Sequence, residues 1–358
     1  MKRNLKQMCL CLLIAGVSGL FVSCDDYDPG DIVPTYRNLV VTYESNGGSA
    51  VEPCTVAEEG DFSLVPAPPV KSGYVFDGWY ADEALTEEFD PVNERIYRDM
   101  TVYAKYVTEE ENALRFNFDA NQNTLGALKD EYKETVKYLS LPASVNGVPA
   151  YHVTAWAFYQ NEHILTLTVP EGYKTIQDNA CDGASGLRIV RLPSTLERLG
   201  SRTFALCANL ETIDLGGLKE FVQHTFFGCV KVKTLRIPGS CKVFPTQGFY
   251  QSLADEIILE EGVTQLADLA LHEASAGRVV VPASMQTVGT NAFAYFNFHY
   301  PGAFILQLCS RDPESVALST NGCFMGSTPI IEVPADAVAA YNNSPAWSGL
   351  GFEIRAAN

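Results

Sequence analysis

The chain has 358 residues, room for roughly two domains at about 150 residues each. With 47% hydrophobic and 19% charged residues it has the balance of a folded protein, which excludes wholesale disorder and a collagen-like chain. Its 25 Lys and Arg against 43 Asp and Glu leave a net charge of −18, a poor match for nucleic acid, whose phosphates need cationic side chains.

Lys2, Arg3 and Lys6 precede an uncharged apolar run over residues 8–22 that closes on Val22-Ser23-Cys24. Such a run is short for a bilayer span and suits a secretory signal. Its ending resembles the lipobox of bacterial lipoproteins, although Phe21 stands where that box usually opens with Leu. The resemblance implies a signal peptide over residues 1–23 and acylation of Cys24, whose acyl chains would attach the protein to a membrane without spanning it. A plain cleaved signal with an incidental Cys24 is the alternative. Removing the signal takes away three basic residues and no acidic ones, so −18 becomes −21. Residues 24–37 carry Asp25, Asp26, Asp28 and Asp31 among Pro29, Gly30 and Pro34, and read as an acidic tether in preference to a calcium site. Acids soon after the Cys resemble the surface-export signal of Bacteroides-type lipoproteins, which implies display on the exposed side of the outer membrane.

Beyond the tether, residues 38–107 alternate apolar and polar positions in short runs separated by turns. The order is a Ser45-Asn46-Gly47-Gly48 turn, then Gly73-Tyr74-Val75-Phe76-Asp77-Gly78-Trp79-Tyr80, then Val102-Tyr103-Ala104-Lys105-Tyr106. These motifs resemble the internalin-B-type B-repeat, which implies a small β-grasp module with Trp79 as a core anchor; a sugar-stacking role for Trp79 and Tyr80 is the weaker reading. Residues 108–113, with Glu109, Glu110 and Glu111, read as a polar linker.

From 114 to 358 the chain repeats itself. Strand-like runs close at Pro170, Pro193, Gly216, Pro238, Glu260 and Pro282, with spacings of 23, 23, 22, 22 and 22. A second apolar anchor keeps phase with them, at Phe158, Cys181, Phe204, Phe226, Phe249, Leu271 and Phe293. Ordering one such coil costs more backbone entropy than its own few apolar side chains return, so coils must stack to fold. The pattern resembles BspA-like leucine-rich repeats, best seen in Thr287-Val288-Gly289-Thr290-Asn291-Ala292-Phe293. The fold class is therefore mainly β: a small β-grasp module followed by a leucine-rich-repeat solenoid of parallel β-sheet and short turns. A short helical C-terminal cap is expected from about residue 335, and one longer coil with its strand at Leu306-Gln307-Leu308-Cys309. Cys207 and Cys229 fall at equivalent positions of adjacent coils, as a buried pair of thiols or, less favoured, a disulfide.

Little in the chain speaks of catalysis. No nucleophile elbow, zinc-protease helix, phosphate loop or dinucleotide fingerprint occurs, and His152, His163, His224, His272 and His299 are scattered. Neither a CxxC nor a Cys/His cluster with zinc spacing is present, so no metal or cofactor is expected. Asp119, Asn121 and Asn123 have Thr124 where a calcium loop needs Gly, and read as a hairpin turn. Two surfaces are candidates for binding. One is the row Thr168, Arg191, Asp214, Arg236, Ile258 and Val280, two residues before each closing position, which should ladder along one sheet face. The other is an aromatic patch of Tyr295, Phe296, Phe298 and Tyr300. The expected protein is a non-enzymatic, lipid-anchored surface protein that binds a host or microbial surface protein through its repeats. A carbohydrate-binding lipoprotein serving glycan uptake is the alternative.

Overall fold

A computed structural model describes residues 37–57, 65–297, 303–318 and 322–357, and Leu39–Asn358 forms one compact unit. The signal peptide, Cys24 and the acidic tether up to residue 36 lie outside the described residues.

The first module is a five-stranded sheet in the order β2-β1-β5-β3-β4, built from β1 (Asn38–Glu44), β2 (Cys54–Ala57), β3 (Tyr74–Tyr80), β4 (Glu88–Phe89) and β5 (Met100–Thr108). β1 runs parallel to β5, whereas β3 runs antiparallel to both β4 and β5. Strict alternation in β1 sends Leu39, Val41 and Tyr43 inward, toward the fully buried Trp79. Tyr43 and Phe76 lie 4.8 and 5.1 Å from the Trp79 ring, so this Trp is a core anchor. In the turn after β1, Asn46 and Gly47 both take positive φ, and the Gly48 amide donates to the Ser45 carbonyl at 2.9 Å. A Cβ at Gly48 would collide with the Tyr106 hydroxyl, which donates to that same carbonyl.

Residues 108–113, expected as a polar linker, instead continue β5 directly into a one-turn helix, α1 (Glu109–Ala113). Thr108 and Glu111 cap it reciprocally, a Thr-x-x-Glu box that the sequence displays openly. Asn112 is buried and donates to the Ser140 carbonyl at 2.9 Å. The two modules are therefore joined without slack. β6 (Phe116–Asp119) and β7 (Thr124–Leu128) follow as an antiparallel hairpin, with the Asp119 carboxylate accepting the Asn121 amide, as a turn and not a calcium loop requires.

Ten parallel strands then stack in chain order, from β8 (Tyr138–Ser140) to Ile354–Ala356. The register joins Leu167 to Val190 to Ile213, and Leu235 to Ile257 to Val279 to Leu306 to Ile331, all buried. Up to Val279 those pairings reproduce the 22- and 23-residue period, and the longer coil that follows carries its strand at Ile305–Leu308, one residue ahead of the expected Leu306–Cys309. On the opposite side, two-residue strands form two narrower sheets, the first of them continuing the β6–β7 hairpin, and the two sheets part between Glu220–Phe221 and Val243–Phe244. Between the sheets lie the second anchors, with Phe204 and Phe226 stacked 6.0 Å apart and nearly parallel.

Each second anchor is flanked by two left-handed residues. Trp156, Asn179, Arg202, His224, Gln247, Leu269 and Asn291 precede the anchors, and Gln160, Gly183, Leu206, Gly228, Gln251, Glu273 and Tyr295 follow them, with φ between 51° and 74°. Non-glycine residues adopt this conformation at a cost of about 1–2 kcal/mol each. The turn offsets that cost with amide bonds to the next coil, such as Phe158 to the Ala180 carbonyl at 2.7 Å and Gln160 to the Asp182 carbonyl at 2.8 Å.

At the far end, α2 (Val338–Asn343) and α3 (Pro345–Ser348) bury Tyr341 and Trp347 over the last coils. Tyr341 donates to the Ser310 carbonyl and Trp347 to the Pro313 carbonyl, both at 3.1 Å. A final strand, Ile354–Ala356, pairs with Ile330–Val333 beyond this cap. Cys207 and Cys229 are free thiols, so the disulfide alternative is set aside. Each Sγ donates to a carbonyl of the preceding coil, Cys207 to Cys181 at 3.2 Å and Cys229 to Phe204 at 3.1 Å.

The candidate binding face and the cleft at the module junction

The ten-stranded sheet turns one face inward and one outward. On the outer face Ser140, Thr168, Arg191 and Asp214 stand in register, as do Arg236, Ile258, Val280, Gln307, Glu332 and Arg355. The Thr212 to Thr234 pairing joins the two runs into one row, so all six candidate residues of the expected row do align.

They do not share one environment. The first module packs on the outer face of the first strands: the Phe76 ring meets Tyr138 edge-on at 4.8 Å, Tyr138 and Leu165 belong to the module's own apolar core, and the partly buried Ile189 packs against it. Asp77 pairs with Arg115 at 2.7 Å, and Lys137 reaches Glu88 and Asp90 at 3.0 and 3.3 Å. Burial, and then the nearby Asp90 and Glu88, hold the Tyr138 phenol protonated well above its ordinary range. Thr168 and Arg191, expected on an open face, instead line a cleft of about 790 Å³ between module and solenoid, together with Lys71, Tyr74, Glu109 and Glu110. A sequence signal for this docking existed: Tyr138 and Ile189 are apolar at positions that should face water.

From Asp214 onward the face is uncovered. Asp214 and Arg236 are exposed, with Arg236 3.5 Å from Glu260. Ile258 and Val280 are half-buried neighbours, and beside them a second outward row runs Thr234, Glu256, Arg278, Ile305 and Ile330. At the C-terminal edge the Glu332 carboxylate, 1% exposed, sits 2.9 Å from Arg355 and 3.4 Å from Arg278. The arrangement is an apolar centre of Ile258, Val280 and Ile305 bordered by paired charges, the anatomy of a surface that can dock a partner.

The aromatic patch is corrected. Phe296 is 2% exposed and packs against Phe293 and Phe304 at 5.7 and 4.4 Å, so it fills the longer coil's core. Phe298 and Tyr300 lie outside the described residues. Tyr295 is exposed but belongs to a different array along the turns. Phe227, Tyr250, His272 and Tyr295 follow one another at 5.8, 5.7 and 5.8 Å, with Arg202 over the Phe227 ring at 5.3 Å. The first three rings stack face on face, at interplanar angles of 18° and 23°, and so bridge adjacent coils.

Among the described residues no three His, Cys, Asp or Glu side chains converge as metal ligands, and no helix is long and apolar enough to cross a membrane.

Two family models match the chain in agreement with this architecture. Residues 132–254 and 174–299 match the BspA type Leucine rich repeat region in six copies, and residues 40–105 match the Listeria-Bacteroides repeat domain. Solved structures similar to the chain include a leucine-rich repeat protein of T. pallidum, 20% identical over 50% of this chain and 84% of that one, with a TM-score of 0.40. A leucine-rich cell surface protein of Faecalibacterium prausnitzii is 19% identical over 67% of this chain and 74% of that one, with a TM-score of 0.44. Two proteins of Evansella cellulosilytica, described as a Gly-rich membrane protein and a membrane protein, are 44% and 39% identical over 85 and 97 residues. Those matches cover 24% and 27% of this chain but only 9% and 14% of the relatives' lengths. The chain thus carries a BspA-type leucine-rich repeat region within its solenoid, and a Listeria-Bacteroides repeat domain ahead of it.

Proposed function

We propose that the protein is displayed on the cell surface, held to the outer membrane by lipid on Cys24, and that the uncovered sheet face from Asp214 and Arg236 to Val280 docks a protein on a host or microbial surface. The observation that carries this reading is the apolar centre at Ile258, Val280 and Ile305 within a border of Arg236, Glu256, Glu260 and Arg278, on strands too rigidly laddered to rearrange. A BspA-type repeat region, and relatives described as membrane proteins, accord with a surface-bound binding protein. The docked first module supports it as well, since that module holds the sheet at a set orientation and adds the cleft at Thr168 and Arg191.

Surface plasmon resonance of the full chain over immobilised host and bacterial surface proteins tests the face. Ile258→Glu should weaken the interaction about ten-fold or more with little change in Tm, because it places an unpaired charge at the centre of the contact. If the wild type binds no protein of either kind, the reading fails. The anchor is tested separately: Cys24→Ser should move the protein from the membrane fraction to the medium, whereas continued lipid labelling would refute acylation at that residue.

A further inference from the structure

Trp156 carries an indole that the fold does not require. It is left-handed, with φ 63°, one of the turn positions that elsewhere hold Asn179, Arg202, His224, Gln247, Leu269 and Asn291. A bulky side chain is strained there; the Trp156 amide offsets that with the usual bond to the next coil, to the Asp178 carbonyl at 3.3 Å, but the indole itself returns little packing, since Trp156 is 54% exposed. The chain's other two tryptophans, Trp79 and Trp347, are buried. Beside Trp156 stands Tyr159, 43% exposed, its ring 4.8 Å away and turned 77°. This pair forms one wall of a shallow cleft of about 420 Å³, whose rim carries Lys133, Glu134, Gln160, Glu162 and His163. Asn161 fixes that rim, accepting the His163 and Ile164 amides at 2.9 Å and donating to the Lys133 carbonyl at 2.9 Å.

We propose that Trp156 and Tyr159 form a saccharide-binding subsite on the turn edge of the first repeats, distinct from the sheet face. The chemistry of the cleft selects that occupant. A pyranose ring has an apolar face of C–H groups that lies well against the electron-rich face of an indole, while its hydroxyls point outward, where carboxylates, a carboxamide, an imidazole and an ammonium group stand. Cleft size agrees, since pockets for small ligands run about 300–1,000 Å³, while a stable protein contact needs about 800 Å² from each partner. Two isolated rings in a charged rim do not supply that area. The rim's carboxylates, Glu134 and Glu162, outnumber its one lysine, and the chain's net charge is −18, so the ligand class is a neutral sugar.

The test uses the full chain on a printed array of neutral and acidic oligosaccharides, followed by titration with the neutral oligosaccharides that are retained. Binding should protect Trp156 from acrylamide quenching, a clean signal because the other two tryptophans are buried. Trp156→Gly suits the left-handed turn, and should keep or raise Tm while weakening binding about ten-fold or more; Tyr159→Ala should also weaken it. The proposal is overturned if the array retains no oligosaccharide, if only acidic ones are retained, or if Trp156→Gly binds as the wild type does. It is also overturned if Trp156→Gly lowers Tm, which would assign the ring to the fold. Protection of Trp156 by a protein partner with a silent array would hand the patch to protein binding instead.

Discussion

The two modules solve the same problem, a β-sheet with an apolar face, by opposite means. In the first, one ring closes the core: Trp79 is fully buried and touches Tyr43 of β1 and Phe76 of its own strand, β3. In the solenoid no residue has that standing, because each coil repeats the same inward strand residue and the same second anchor, as in Val190, Ile213, Phe204 and Phe226. A small domain has few ways to compensate for a lost anchor, whereas a stacked array shares its load between neighbours. The contrast teaches where each module is vulnerable: the first to loss of volume at one site, the second to anything that breaks contact between coils.

The most damaging change should therefore be a charge between coils. Phe204 is fully buried and stacked on Phe226, so Phe204→Asp would place a carboxylate where no cation or water can reach it. The repeat domain should lose its β-type circular dichroism and its resistance to protease, in both directions from the lesion. An intact fold would contradict the inward assignment of the second anchors and erase the comparison.

Trp79→Ala is the next largest, about 3–5 kcal/mol by the usual cost of emptying a buried aromatic site. Limited proteolysis should then cut within residues 38–107 while leaving a resistant fragment from about residue 114 onward. Survival of the module would sharpen the comparison in a different way. It would mean that docking on Tyr138, Leu165 and Ile189, with the Asp77 and Arg115 pair at 2.7 Å, carries stability that the module's own core lacks.

Much of this architecture could be read directly from residue spacing. The inward strand ladder follows from a period of 22 or 23 residues, and Trp79 declares itself by its flanking aromatics. What escaped has identifiable physical causes. Only two of the fourteen left-handed turn positions are glycine, because backbone amide bonds between coils hold them and leave the side chain free to vary, so nothing marks Trp156 or Leu269 as left-handed. Docking of the first module escaped because a per-coil template treats Tyr138 and Ile189 as irregular surface residues, although apolar side chains at outward positions were the signal. Phe296 was misassigned because the longer coil has more interior to fill than the regular ones, and the final strand at Ile354–Ala356 is too short for alternation to show. At the candidate face, strand spacing placed Thr168 and Arg191 correctly in the row but could not reveal the module that covers them.

The smallest effect distinguishes the modules by pH. Burial pushes the thiols of Cys181 and Cys229 from an ordinary 9.0 up to about 12, and raises Cys207 as well, all within the repeat stack. The folded state thus keeps protons that the unfolded chain releases, so stability is fully present below pH 9 and declines as pH rises from there toward about 12. At pH 10 each such thiol should subtract about 1.4 kcal/mol. The repeat transition should fall in Tm between pH 8 and pH 10, and Cys229→Ala should make the decline shallower by roughly one thiol's share. Because these cysteines are free and bonded to carbonyls, a reductant at pH 7 should leave Tm unchanged. A reductant-sensitive transition with a flat alkaline profile would instead point to a bridge between Cys207 and Cys229, and would replace stacking by a covalent tie as the source of cohesion between those coils.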